Sequence, residues 1–318
     1  RTWNQFLDWF PDEESCRRYL ELLRWPLGFV CPRCTHADEP FRASRGRLVC
    51  RSCRYQCSVT AGTVFEKTRT PLRSWFAAVW YVTNQKHGVS ALGLQRVLGI
   101  GSYQTAWSLL HRLRRAMVRS ERERLSGVVE ADETYIGGPR RNPLKNRSRK
   151  PKKSLVQYKD NSSIIAVAVE IHEPKGFGRV RLRRIPDASK VSLLPFVCDA
   201  IEPGSTVRTD GSFAYSPLTE HGYVHERNVQ MGSNEPPHKA MPGVHRVASL
   251  LKRWLLGTHQ GSAQPNQLDY YLDEYTFRFN RRNSRSRGLL FYRLLEQAVI
   301  TDPVPYGKII ARGAKHNI

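Results

Sequence analysis

The sequence predicts a mixed α/β protein in which a cysteine-rich module and a helical module precede an α/β core. Three observations carry that reading. Two Cys-x-x-Cys pairs lie near the start, helical periodicity with glycine punctuation runs from Thr70 to Met117, and short β-prone runs alternate with helical stripes from Gly127 onward. The 318 residues suffice for two or more domains, and a hydrophobic content of 40% is ordinary for a globular chain. The chain opens on Arg1 rather than Met, which leaves open whether the true N-terminus is present, and no targeting segment is visible. No apolar run approaches the roughly 20 residues that cross a bilayer, so no membrane association is expected.

Lys+Arg of 51 against Asp+Glu of 28 gives a net charge of +23. Four zinc-bound thiolates (−4) and their ion (+2) would leave about +21. So large an excess favours nucleic acid over a solubilising or membrane-facing surface, because each phosphate neutralised releases counterions. Seven cysteines, an odd number with two Cys-x-x-Cys pairs, fit a reducing compartment and a metal better than a disulfide framework. A cytoplasmic protein is expected.

Residues 1–28 read as an N-terminal helical segment and 29–62 as a zinc ribbon. Cys31-Pro32-Arg33-Cys34 and Cys50-Arg51-Ser52-Cys53 each make a tight knuckle, and the segment from Phe41 to Val49 between them reads as a short hairpin. Cys31, Cys34, Cys50 and Cys53 complete a closed thiolate tetrahedron for one structural Zn²⁺ with no open position for chemistry. Cys57 is expected to be a half-buried small residue, and Cys16 and Cys198 to lie in the core. The ribbon's arginines (33, 42, 45, 47, 51 and 54) are candidates to face DNA.

Residues 63–126 read as a helix-turn-helix-like module. Thr70 as N-cap and Pro71 at the first helical position open one helix. Ser90 opens a second that ends at Gly99. Ser102 caps a third, with Ala106, Leu109, Leu110, Leu113 and Met117 on its apolar stripe and His111, Arg112, Arg115 and Arg119 on its other face. Such a third helix enters the major groove, which makes Gln104, Thr105, Arg112 and Arg115 candidate DNA contacts. A plain three-helix bundle with a solvated basic face has the same pattern.

Residues 127–260 read as the catalytic core. Strands are expected over Val128–Asp132, Ser163–Ile171, Arg179–Ile185, Thr206–Asp210 and Tyr223–Val229, with a helix from Ser189 to about Ile201. Strand-strand-strand-helix-strand-helix-strand-helix, with an antiparallel start, suits the ribonuclease-H-like fold. Within this core, 139–160 is a basic loop; Arg140 to Lys159 holds nine Lys/Arg and no acid. Residues 261–318 read as C-terminal helices, Gln267–Arg281 and Leu289–Ile300, with a basic tail. Leu268, Tyr271, Leu272, Tyr275 and Phe279 are expected to pack on the core. Six arginines and no acid between Arg278 and Arg293 suggest a phosphate-facing strip that includes Arg281 and Arg282.

Four motifs then stand in order: Val129-Glu130-Ala131-Asp132-Glu133-Thr134-Tyr135-Ile136-Gly137-Gly138, Arg208-Thr209-Asp210-Gly211, Val244-His245-Arg246-Val247 with Lys252-Arg253-Trp254-Leu255, and Phe277-Arg278-Phe279-Asn280-Arg281-Arg282. Together they resemble the ISXO-two-like group of bacterial insertion-sequence transposases, which carry an N-terminal zinc ribbon. The resemblance runs from about Trp3 to Glu296. It implies a ribonuclease-H-like core of the DDE type, a double-stranded DNA partner comprising the element's inverted repeats and a target, and a homodimer or higher assembly on the DNA. A bacterial, nucleoid-associated location goes with it.

The implied chemistry is in-line displacement at a phosphodiester. One Mg²⁺ (or Mn²⁺) activates a water or 3′-hydroxyl and a second, about 3.5–4 Å away, stabilises the leaving oxygen. By the resemblance Asp132 bridges the two ions from the first strand and Asp210 joins from the fourth. His245 is the third ligand, where the best-known transposases have Glu. His245 and Lys252 are two helical turns apart, about 10.5 Å along one face, so Lys252 could hold the DNA strand beside the metals. Val244, Val247, Ala248 and Leu251 form the buried stripe. A neutral imidazole is a poorer Mg²⁺ ligand than Glu, which points to tolerance of Mn²⁺. Glu235 is the runner-up third ligand. Glu130 shares the Asp132 face of its strand and is a candidate support for the metal site. The competing class is a catalytically decayed or repurposed transposase that works as a zinc-ribbon DNA-binding regulator; His245 favours it, and both aspartates and Lys252 oppose it. A Holliday-junction or RNA-guided nuclease on the same fold has no motif behind it.

Overall fold

A computed structural model describes residues 2–119, 122–137, 162–172, 174, 176–228, 240–260 and 263–311. The basic loop expected over 139–160 and the alternative ligand Glu235 lie outside these residues. The chain divides into two compact units, one of Arg1–Glu121 with Asn283–Ile318 and the other of Arg122–Arg282.

The first unit begins with helices α1 (Trp3–Trp9) and α2 (Glu13–Arg24), each opened by a reciprocal cap, Thr2 with Gln5 and Asp12 with Ser15. An antiparallel three-stranded sheet follows: β1 (Phe41–Ala43), β2 (Arg47–Val49) and β3 (Gln56–Ser58). Beyond it come α3 (Leu72–Asn84), α4 (Ala91–Leu98) and α5 (Tyr103–Arg115). Ser90 caps α4 through the Gly93 N–H, and Gly99 ends it in the left-handed conformation, both as the sequence predicts. The start of α3 differs by one residue from its prediction. Pro71 is the N-cap, and the first free N–H groups, on Leu72 and Arg73, donate to the Glu13 carboxylate at 2.7 and 3.1 Å. A capping side chain 59 residues upstream leaves no local signal.

The predicted stripe of α5 is buried throughout, but His111 is a correction. It was expected on the polar face and is 0% exposed. Its ring packs on Trp107 at 4.0 Å, and Arg114, at 2% exposure, lies alongside with Nη1 3.4 Å from its Nε2. A basic helix edge is therefore part of the interior.

The second unit is built on a five-stranded sheet of β4 (Val128–Ile136), β5 (Ser163–Ile171), β6 (Phe177–Ile185), β7 (Thr206–Asp210) and β8 (Val224–Asn228), in the order β6-β5-β4-β7-β8. β4 pairs antiparallel with β5 and parallel with β7, so it is the central strand. This is the order expected of a ribonuclease-H-like core. α6 (Lys190–Ala200) joins β6 to β7, and a 3₁₀ helix (Phe213–His221) stands where a helix was expected after β7. α7 (Pro242–His259) and α8 (Leu268–Asn280) complete the unit.

Strand alternation decides what each face meets. Ala166 and Ala168 of β5, with Val129 and Ala131 of β4, pack against Leu193, Phe196 and Val197 of α6 and against Tyr215 and Leu218. Ile165, Val167 and Val169, on the opposite face, meet Val244, Val247, Leu251 and Leu255 of α7 and the predicted α8 residues Leu268, Tyr271, Leu272, Tyr275 and Phe279. β4 and β5 are thus buried on both faces, as a central α/β strand pair must be. The chain then returns to the first unit with α9 (Arg287–Ile300) and α10 (Tyr306–Ile310). Phe291 of α9 joins an aromatic cluster with Phe6, Phe10, Tyr19 and Phe76, with ring centroids 5.7–6.5 Å from its own.

Candidate active site

The site forms where β7 ends beside the middle of β4. Val128, Val129 and Glu130 pair in parallel with Thr206, Val207 and Arg208. Continued by two residues, that offset brings Asp132 level with Asp210. The Asp132 carboxyl is pushed up to about 7, chiefly by burial, and the charges of Glu133, Asp210 and Glu130 add to the rise. A hydrogen bond from the Glu133 N–H to its Oδ1 at 2.8 Å pulls the other way. Burial and Asp210 raise Glu133 too. Half-buried acids gathered at one place, two of them with raised pKa, suit a hard cation: the oxygens are clustered and short of water.

α7 supplies the other wall. One cavity is lined by Asp132, Glu133, Thr134 and Tyr135 of β4 together with His245, Ala248 and Lys252 of α7. Asp132, His245 and Lys252, the residues that the family resemblance singles out, therefore face the same space, with Asp210 near enough to act on Asp132 through its charge. His245 is half-buried, Lys252 exposed. Val244, Val247 and Leu251 are buried as expected.

Glu130 meets the site through the helix that faces it. It is 1% exposed, and its Oε2 accepts from the Gly243 and Val244 N–H groups at 2.7 and 2.9 Å. It caps the start of α7 and ties to β4 the helix that carries His245. Gly243 is required for that approach. A Cβ there would lie 2.6 Å from Ile171 Cδ1, 2.9 Å from Glu130 Oε2 and 3.0 Å from Val169 Cγ1. Glu133, which sequence reasoning passed over, is the acid that stands beside Asp132, with Tyr215 donating from its hydroxyl at 3.4 Å.

The metal centre of the first unit is formed by the four predicted cysteines. The ligand sulfurs of Cys31, Cys34, Cys50 and Cys53 all lie within 4.8 Å of one another, with Cys31–Cys53 at 3.6 Å and Cys34–Cys50 at 3.7 Å. A zinc tetrahedron with bonds of about 2.3 Å has edges of about 3.8 Å, so the sulfurs fit one Zn²⁺. The knuckles are built alike. The Thr35 and Arg54 N–H groups donate to the carbonyls of Cys31 and Cys50, with both residues in the left-handed region at φ 58 and 59. Cys57 is not in the cluster and is 4% exposed, more buried than predicted.

The candidate DNA contacts separate by exposure. Gln104 is exposed, Thr105, Arg112 and Arg115 are half-buried, and Arg112 donates to the Glu66 carbonyl. Arg281 stacks on Phe277 at 4.4 Å. Arg282 lies over Phe279 at 4.1 Å and donates to the Phe177, Gly178 and Phe279 carbonyls. Arg278 leaves the predicted phosphate strip: it is paired with Glu274, itself 1% exposed, at 2.7 Å.

Comparison with known proteins places residues 124–280 in the family described as the ISXO2-like transposase domain and residues 11–56 in the transposase zinc-ribbon domain. A relative from Halobacterium salinarum, described as an uncharacterized protein in transposable element ISH50, is 28% identical over 282 residues, 85% of this chain and 91% of the relative. No helix of the described residues is long and apolar enough to cross a membrane.

Proposed function

We propose, since this chain belongs to the ISXO2-like transposases with a zinc ribbon, that it moves an insertion sequence by binding the element's inverted repeats and carrying out divalent-metal-dependent cleavage and strand transfer. The observation that carries this reading is the cavity lined by Asp132, Glu133, His245 and Lys252, with Asp210 close enough to raise Asp132 through its charge. Asp132 and Asp210 would hold Mg²⁺ (or Mn²⁺), with His245 as the third ligand from α7. When bound, two such ions activate the attacking oxygen and stabilise the leaving one. Lys252 reaches from the same wall to a DNA phosphate and holds the strand against the acids. Glu130 fixes His245 by fixing the helix that carries it.

Binding would come from the ribbon and the α3–α5 helices, working as a helix-turn-helix-like module, and from the excess positive charge. Two element ends must be brought together, so a dimer or higher assembly on DNA is expected. The deciding experiment is cleavage of supercoiled DNA bearing the element's ends, in Mg²⁺ or Mn²⁺, by wild type, Asp132→Asn and His245→Ala. Metal-dependent cuts at the element boundary, lost in both variants while end binding persists, support the assignment. Cleavage that survives in His245→Ala transfers the third-ligand role, with Glu235 the next to test. Specific end binding without any cutting would favour the DNA-binding regulator, the reading that His245 in place of a glutamate leaves open.

A further inference from the structure

Among the described residues of the second unit, two aromatic side chains are exposed, Phe213 at 82% and Tyr135 at 52%. Each stands three residues after one of the site's aspartates, Phe213 after Asp210 and Tyr135 after Asp132. Tyr135 lines the cavity that holds Asp132, His245 and Lys252. An aromatic ring left in water three residues from an aspartate of the site is unexplained by the packing of the unit, whose other large aromatics are buried or partly buried.

The backbone under Phe213 is fixed although its side chain is not covered. The Ser212 N–H donates to Asp210 Oδ1 at 3.1 Å, and the Ala214 N–H to Ser212 Oγ at 3.3 Å. Arg227 donates to the Gly211 carbonyl at 3.0 Å, and its guanidinium stands 5.7 Å from the Phe213 ring. Two residues on, Tyr215 is 1% exposed, and Leu218 is 0% exposed. The 3₁₀ helix is thus anchored by its later residues while its first one projects from a pinned turn. The turn is pinned in part by the carboxylate proposed to hold the metal.

On the reading of the site as a strand-transfer centre, we propose that Phe213 is a base-stacking residue: its ring receives a nucleobase next to the phosphate held at Asp132 and Asp210. A phenyl ring has no hydrogen bond to offer a phosphate or a sugar, but its face stacks on any base. Three residues of chain span at most about 11 Å, so the ring reaches the nucleotides immediately flanking the reacting phosphate. A base inside a duplex has both faces occupied, so the base that Phe213 takes is one turned out of its stack. Arg227, beside the ring, supplies positive charge for the backbone of that nucleotide.

The test uses the full chain and duplex oligonucleotides bearing the element's end, with 2-aminopurine placed on either side of the cleaved phosphate and Ca²⁺ replacing Mg²⁺ so that the DNA stays intact. Wild type should change the fluorescence of one of the two probes at least about twofold on binding. Phe213→Ala should lose that change and keep its melting temperature, and Phe213→Trp should restore it. In Mg²⁺, Phe213→Ala should cleave on the order of 10- to 100-fold more slowly, the range set by the loss of one base–aromatic stack. An abasic nucleotide at the responding position should slow wild type by a similar factor and leave the Ala variant no slower. Equal fluorescence changes in wild type and Phe213→Ala, with the ends bound, overturn the stacking role and leave the transposase reading intact. An effect of Phe213→Ala on oligomeric state alone makes the ring a subunit contact and also overturns it. Failure of wild type to bind the ends overturns both.

Discussion

At Asp132, burial and three neighbouring acids hold a carboxyl at about 7 that would ordinarily titrate near 3.8. A folded-state pKa raised above the unfolded one means that the folded protein binds the proton more tightly. Stability from this group is therefore present below about pH 4 and is lost as pH rises towards 7. Without metal, Asp132→Asn should melt higher than wild type at pH 8 and close to it at pH 4, by about 2–4 °C for each kcal/mol of repulsion relieved. Mg²⁺ should raise the wild-type melting temperature more at pH 8 than at pH 5 and leave Asp132→Asn unmoved. A thermal-shift series over pH checks both, and a metal response retained in the Asn variant would count against Asp132 as a ligand. Asp132 and Asp210 were legible because each lies in a β-prone run within a motif that carries the family resemblance. Glu130 was not: its partners are 113 and 114 residues away, and strand parity says which face a carboxylate takes but not which helix end it meets. His111 escaped for the opposite reason. A helical wheel puts it at the polar edge, and only the packing of Trp107 and Arg114 makes that edge interior.

Two elements show how a local constraint places a distant group. The start of α7 lies so close to the sheet that position 243 has no room for a side chain, and the capping carboxylate comes from β4 rather than from the helix's own flank. Gly243→Ala should push the first turn of α7 away from β4, destabilise the protein by about 1–3 kcal/mol, and slow cleavage more than end binding. Denaturant unfolding alongside both assays tests this; unchanged cleavage would free His245 from dependence on the tie. The predicted stripes of α5, α7 and α8 emerged because helical burial obeys a fixed period, and most strand limits fell within two residues because β-branched runs end at glycine and proline. The ribbon is the other case. Its strands have three residues each and its core is mostly cysteine, so the metal supplies the cohesion. Chelation should release one Zn²⁺ per chain, measured colorimetrically, with loss of ordered amide signals from 29–62. Cys50→Ser should bind no zinc, whereas Cys57→Ser should bind it normally.

For the molecule as a whole, a net charge of +23 sets an expectation about salt. If binding engages 6–10 phosphates, the affinity for element ends should fall by about 10³–10⁵ between 50 and 200 mM salt. A shallow slope in a fluorescence-anisotropy titration would mean that most of these cations are solvated rather than in contact. The chain path sets another. Residues 122–282 are one continuous segment with their own core, whereas the first unit needs both 1–121 and the segment after 283. The second segment expressed alone should fold cooperatively by circular dichroism, and 1–121 alone should not. The composition and stripes of the two tail helices are alike, so the sequence grouped them together; what separates α8 from α9 is the core that each one fills. Phe291 completes an aromatic cluster with Phe6, Phe10, Tyr19 and Phe76, and the Ala298 carbonyl accepts from the Val64 N–H. On the ribosome this path has an order in time. Residues 1–121 emerge before the second unit and wait while it is made, because the helix they lack follows it in the chain. A polypeptide released early, after a frameshift or a broken message, would carry Asp132, Asp210 and His245 with an unfinished first unit. The threading thus lets the proposed DNA-docking unit be completed only after the whole of the second unit has been made.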